Sequence, residues 1–169
     1  MSISMYQASV PRFVNILGNL SNILDKAQAH VDAKKLDTAT LTTYRLFPDM
    51  LPMTKQVQIA CDAAKGVVAR LAGVDIPAYE DNENTLAELK ARIAKTIAFV
   101  ESVEREAVEA DETRTIELKF PNGSMNFTAR DFVFNFSLPN FLFHVVTAYG
   151  LLRAEGVPLG KMDYLAGAL

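Results

Sequence analysis

Ser137, Asn140, His144 and Thr147 recur at spacings of three, four and three residues, which places them on one face of a helix. The surrounding segment, residues 131–154, reads DFVFNFSLPNFLFHVVTAYGLLRA and is apolar nearly all round. Burial over most of its circumference is therefore predicted. A stripe of neutral polar groups on such a helix must hydrogen-bond inside the fold, line a wet pocket or hold a ligand. The stripe is the site candidate of the chain, and a small polar molecule is the ligand it suits.

The chemistry available beyond the stripe is sparse. A lone histidine on a buried helix is more often a hydrogen-bonded core residue than a ligand. The neighbour of His144 one turn back is Asn140, not a second histidine or a carboxylate. A catalytic metal ordinarily takes about three N, S or O protein ligands. His30, the only other histidine, falls near the end of the first helix, where the helix dipole favours a solvated cation. Most carboxylates read as solvated helix faces; Asp49 and Asp62 are the exceptions. Asp49 can cap the second helix, Asp62 lies off its apolar seam, and neither pairs with another carboxylate in a pattern for acid–base work. There is no Gly-rich phosphate loop, no GxSxG turn and no HExxH. Cys61 is the single cysteine, so an internal disulfide and a cysteine-cluster metal site are excluded. Within Ile59-Ala60-Cys61 it reads as an inert core thiol.

The 169 residues suit one helical domain over 1–169, with a sizeable core drawn from a composition that is 50% hydrophobic. A net charge of −3 offers no electrostatic footprint for nucleic acid or anionic membranes. The N-terminal MSISMYQASVPRF has neither a basic start nor a continuous apolar run, so a signal peptide is not expected. Pro139, Asn140 and His144 interrupt the most apolar stretch, which argues for a core helix over a membrane span. A cytoplasmic protein follows.

The elements that must position the stripe are legible from periodicity. Ile3, Tyr6, Val10, Phe13, Leu17, Leu20, Leu24, Ala27 and Val31 alternate spacings of three and four on one long helix, with Pro11 as a kink or late start. A short amphipathic piece over 38–46 precedes a second helix, from about Asp49 to Ala72, that stops at Gly73. Its seam is Met53, Val57, Ala60, Ala64, Val67 and Leu71, with Gln56 beside it. Thr85 and Glu88 form a capping box for a third helix with the stripe Leu86, Leu89, Ile93, Ile97, Val100 and Val103, followed by an acidic tail. Alternation from Thr115 to Phe120 and again at Met125 and Phe127 predicts a β-hairpin centred on Asn122-Gly123. Thr128, three residues before Asp131, caps the fourth helix, which Pro139 is expected to kink. The fold class is all-α, a four-helix bundle with a small hairpin before the last long helix. Phe132, Phe134, Phe136, Phe141 and Phe143 cannot all face one seam, so the hairpin, the C-terminal tail or a second subunit must cover some of them. A homodimer is the expected assembly.

Two segments, RLFPDMLPMTKQVQIACDAAKGVVARLAG and LPNFLFHVVTAYGLLRAEGVPLGKMDYLAG, resemble an uncharacterised family, domain of unknown function nineteen ninety-three, grouped with the DinB/YfiT-like metalloenzymes. The resemblance spans essentially the whole chain and implies a DinB-like four-helix bundle of up-down-down-up style. It also implies a divalent-metal site of three histidines, one on the second helix and two a turn apart on the fourth. Counting back from Leu151-Leu152-Arg153 puts His144 at one of the latter positions and Asn140 at the other, with the second-helix ligand near Gln56. His144 is then the only retained candidate ligand, and amide carbonyls are weak ligands for transition metals. No metal cofactor is expected, and the pocket around His144, Asn140 and Gln56 is taken as degenerate, either binding a small molecule or non-catalytic. Two alternatives stand beside this reading. One is a divalent-metal-dependent, thiol-transferase-like enzyme completed by Asp49, Asp62 or His30; the other is a structural module whose polar stripe is a satisfied buried network.

Overall fold

Ser9 and Pro11 divide the N-terminal apolar seam into two helices. In the computed structural model, which describes residues 3–166, a one-turn α1 (Met5–Ala8) is capped by Ser4 and followed by α2 (Val10–Lys34). Pro11 sits at the start of α2, where its missing N–H costs nothing. Ile3 therefore precedes the seam and is exposed, whereas Phe13, Leu17, Leu20, Leu24 and Ala27 are fully buried. The ends of the predicted 1–169 domain, residues 1–2 and 167–169, lie outside the described residues.

After α3 (Ala39–Thr42) the chain enters α4 (Met53–Ala72) later than the sequence predicts. Residues 49–52 are not helical, and Asp49 is exposed rather than capping. The backbone of the preceding loop takes that role, because the N–H of Met53 donates to the carbonyl of Tyr44 at 3.0 Å. All six residues of the predicted α4 seam are buried. The helix ends at Gly73, whose φ of +72° is a left-handed conformation that glycine adopts without strain.

The Thr85–Glu88 capping box opens α5 (Leu86–Ser102), and the acidic tail forms a separate turn, α6 (Arg105–Glu109). Next come antiparallel strands β1 (Thr115–Phe120) and β2 (Gly123–Thr128), with Thr115 opposite Thr128 and Phe120 opposite Gly123. The loop residues are thus Pro121 and Asn122, one position earlier than predicted. With Asn122-Gly123 as the loop, Pro121 would be the flanking strand residue whose N–H bonds across the hairpin, and proline has no N–H. As the first loop residue its fixed φ of about −65° is accommodated. Ile116 and Leu118 point into the core.

Thr128 caps a short α7 (Ala129–Asp131), and the chain widens into a π-helical segment, Phe132–Ser137, before α8 (Leu138–Ala154). The widening stands where a kink at Pro139 is predicted. Proline brings no N–H and its ring crowds the carbonyl four residues back, so the hydrogen-bond ladder is re-spaced just ahead of it. A last helix, α9 (Lys161–Ala166), lies against α2, where Asn19 donates to the carbonyl of Tyr164 at 2.8 Å.

The protein is mostly helical with one two-stranded antiparallel sheet. α4 packs against α5 and α8, and α2 packs against α5 and α8. The expectation that the final helix is buried on most of its circumference is corrected. Phe143 is 59% exposed, and Phe134 and Val146 are also exposed. Phe141 meets Phe13 edge-on at 4.8 Å, while Phe132 and Phe136 are covered by Phe127 of the hairpin. Among the described residues no helix is long and apolar enough to cross a membrane.

Candidate functional site

α4 and α8 bring Gln56 and His144 together. Nδ1 of His144 lies 2.7 Å from Oε1 of Gln56, and Nε2 of Gln56 donates to the carbonyl of Leu51 at 3.1 Å. The second bond fixes the amide orientation, since a flipped Gln56 would set its oxygen against a carbonyl oxygen. Oε1 can only accept, so Nδ1 of His144 carries the proton and Nε2 keeps the basic lone pair. Burial pushes the pKa of His144 below the ordinary imidazole value, which keeps the ring neutral at pH 7. Phe143 packs edge-on against the imidazole at 5.2 Å.

The other stripe residues separate from this pair. The hydroxyl of Thr147 donates to the carbonyl of Phe143 at 2.6 Å, a bond within its own helix. Ser137 and Asn140 line a cavity of about 210 Å³ between the hairpin, α4 and the π-helical segment. Its walls include Ala63, Leu118, Phe132 and Phe136, and its cations are Arg70 and Lys119. The stripe thus serves two places, a closed contact at Gln56–His144 and an open cavity beginning one turn earlier at Asn140. Neither Gln56, His144 nor Thr147 lines that cavity.

Arg70 escapes the sequence reading because only the hairpin, more than forty residues downstream, makes its position a cavity wall. One local signal exists in Gly66, a mid-helix glycine four residues before Arg70. Arg92 is also missed. Its side chain is 1% exposed, and it holds Asp62 at 2.9 Å, Asp81 at 3.0 Å and Glu83 at 3.0 Å. Asp62 also pairs with Lys65 at 2.9 Å, so this carboxylate ties α4 to α5 rather than serving His144. The ammonium groups of Lys65 and Lys95 lie 3.8 and 3.7 Å from the ring centre of Tyr79, in the segment that joins α4 to α5. His30 lies beside Gly156, beyond the far end of α8. Burial pushes the Cys61 thiol up to about 12, consistent with an inert core residue.

The family profile described as "Domain of unknown function (DUF1993)" matches residues 5–165. The chain belongs to this family. A solved structure described as a DinB family member protein from Shewanella denitrificans is 41% identical; the match covers 95% of this chain and 91% of that one, with a TM-score of 0.88. No curated protein matches.

The three-histidine site implied for DinB-like proteins can be tested on the DUF1993 donors themselves. At the second-helix position both amide atoms of Gln56 are engaged, one by His144 and one by Leu51. Asn140 lines the cavity instead, which leaves Nε2 of His144 as the one free imidazole nitrogen of the constellation. Among the described residues no group of three or more His, Cys, Asp or Glu side chains is placed to hold a metal ion. The donor set of this DUF1993 chain does not fit a three-histidine divalent-metal centre.

Proposed function

We propose that this chain is a small-molecule-binding protein on a DinB-type four-helix bundle, without a metal centre. In this reading α2, α4, α5 and α8 are the bundle, residues 1–169 act as one cytoplasmic domain, and the ligand sits against the polar face that begins at Ser137 and Asn140. The observation that carries the reading is the cavity itself. Ser137 is 3% exposed, yet neither its hydroxyl nor the Asn140 amide has a hydrogen-bond partner among the described residues. Polar groups at a buried site are normally paired, so two that open into one cavity suit an incoming ligand. The Gln56–His144 contact acts beside it as a brace between α4 and α8.

A thermal-shift screen of small polar compounds, run on the wild type and on Asn140→Leu, tests this. Compounds that raise the wild-type melting temperature and lose their effect on the variant support it. A panel without any stabilising compound, or one whose effects survive Asn140→Leu, overturns it.

A homodimer is part of the same reading. Phe143 and Val146 on the outer face of α8 are exposed, as are Leu46, Phe47 and Leu51 in the loop whose Leu51 carbonyl is held by Gln56. Large exposed apolar side chains of this kind favour burial against a second copy.

A further inference from the structure

We infer that the cavity beneath the hairpin binds a small carboxylate with an apolar body, and that Arg70 recognises its charge. The inference rests on the small-molecule-binding reading and names the ligand class.

The first observation is electrostatic. Arg70 and Lys119 line the cavity, and among the described residues no carboxylate does. Lys119 is exposed and pairs with Glu117 at 3.6 Å, which leaves Arg70 as the uncompensated charge. Arg70 makes no ion pair among the described residues; its one bond runs from Nη1 to the carbonyl of Gly66 at 3.0 Å. Partial burial lowers its pKa from the ordinary value, a mark of a charge held away from water without compensation. Arginine nevertheless stays charged, and its remaining N–H groups form a fork matched to carboxylate geometry.

The second observation is steric. A Cβ added at Gly66 would lie 2.6 Å from Nη1 of Arg70. A glycine in mid-helix destabilises the helix relative to alanine. At this position it makes the room in which the guanidinium folds back over its own helix and faces the cavity.

The third observation is the complementarity of the rest of the lining. The Ser137 hydroxyl and the Asn140 amide supply neutral donors beside the cation. Phe132 and Phe136 stack at 6.0 Å with 15° between their planes, and the Arg70 guanidinium lies 5.9 Å from the Phe132 ring. A flat apolar body suits these walls. An enclosed apolar cavity of about 150 Å³ accommodates benzene, so about 210 Å³ leaves room for a ring of that size and one carboxylate. A phosphate dianion, with more charge and more acceptor oxygens, would face largely apolar walls and is disfavoured.

The test is titration of the full chain with sodium benzoate, benzamide and inorganic phosphate, followed by calorimetry and by amide shifts at Ser137 and Asn140. Benzoate is expected to bind in the cavity, with benzamide and phosphate weaker by about tenfold or more, the scale of one charge-assisted contact. Arg70→Met should weaken benzoate by a similar factor. Gly66→Ala keeps the charge but displaces the guanidinium, so it should weaken benzoate while leaving the melting temperature equal or higher. Benzamide binding as tightly as benzoate, or unchanged benzoate affinity in both variants, overturns the role of Arg70. Neutral compounds that bind at Asn140 while benzoate does not would overturn the ligand class and leave the binding reading standing. If no compound of either kind binds, both fall.

Discussion

Oε1 of Gln56 accepts a hydrogen bond from Nδ1–H of His144 at 2.7 Å, joining α4 to α8 through two residues 88 positions apart. The bond couples an amide whose other end is held by Leu51 to an imidazole that burial keeps neutral. It therefore fixes the tautomer of His144 and withdraws Gln56 from any other ligation.

Truncating either partner orphans the other. His144→Leu leaves the 3%-exposed Gln56 with an unpaired carbonyl, an expected cost of about 1–3 kcal/mol. Gln56→Leu should cost a similar amount, and the double variant less than the sum. Urea unfolding of the four proteins measures this; singles as stable as the wild type, or strict additivity, would sink the brace.

The same histidine gives stability a pH dependence of known sign. The unfolded chain protonates it near the ordinary value of about 6.5, whereas the folded chain does so only at lower pH. Its contribution is complete above that value and is lost as pH falls through the folded pKa. His144→Leu should flatten this part of the stability profile on the acid side. An NMR titration placing the imidazole pKa at or above the ordinary value would contradict the prediction.

Purified protein is expected to carry no stoichiometric, tightly bound transition metal, because Gln56 is engaged and Asn140 lies in the cavity. Elemental analysis checks it. About one zinc or nickel per chain, lost on His144→Ala, would revive the metal-dependent reading.

Arg92 anchors the linker over residues 74–84. Arg92→Leu leaves Asp62, Asp81 and Glu83 without their shared cation at a site where its own side chain was 1% exposed. A loss of about 3 kcal/mol is expected, the low end for a broken buried pair because Asp62 and Asp81 keep contact with water. Chemical denaturation gives the loss, and limited proteolysis should show new cleavage in 74–84. An unchanged midpoint and digest would refute the anchor.

The homodimer is expected in sedimentation at micromolar concentration, with Phe143→Glu shifting it to monomer. A wild-type monomer under those conditions would remove this part of the reading.

Several features were legible in the chain because their causes are local. The Thr85–Glu88 box, the Thr128–Asp131 cap and the stop at Gly73 each depend on residues within a turn of one another. The α4 seam and the strand alternation follow from the periods of helix and strand. The hairpin loop lies one residue ahead of the Asn-Gly signal because Pro121, which has no N–H for the ladder, takes the first loop position. The start of α4 is not legible locally because the group that satisfies Met53 is the backbone of Tyr44, nine residues earlier, which carries no side-chain signature.

What the sequence determined by itself is which side chains share a face: Asn140 with His144, and Met53 with Val57 and Ala60. What only the tertiary structure decided is which faces meet. Periodicity left open whether Gln56 faces the fourth helix, and the family resemblance alone suggested it. Nothing local says that Arg92 is buried against three carboxylates, that Phe143 faces outward, or that a hairpin closes a cavity over Arg70, Ser137 and Asn140. Caps and turns are set by residues a few positions apart, whereas burial and long-range bonds such as Gln56–His144 depend on surfaces brought together from segments tens of residues apart.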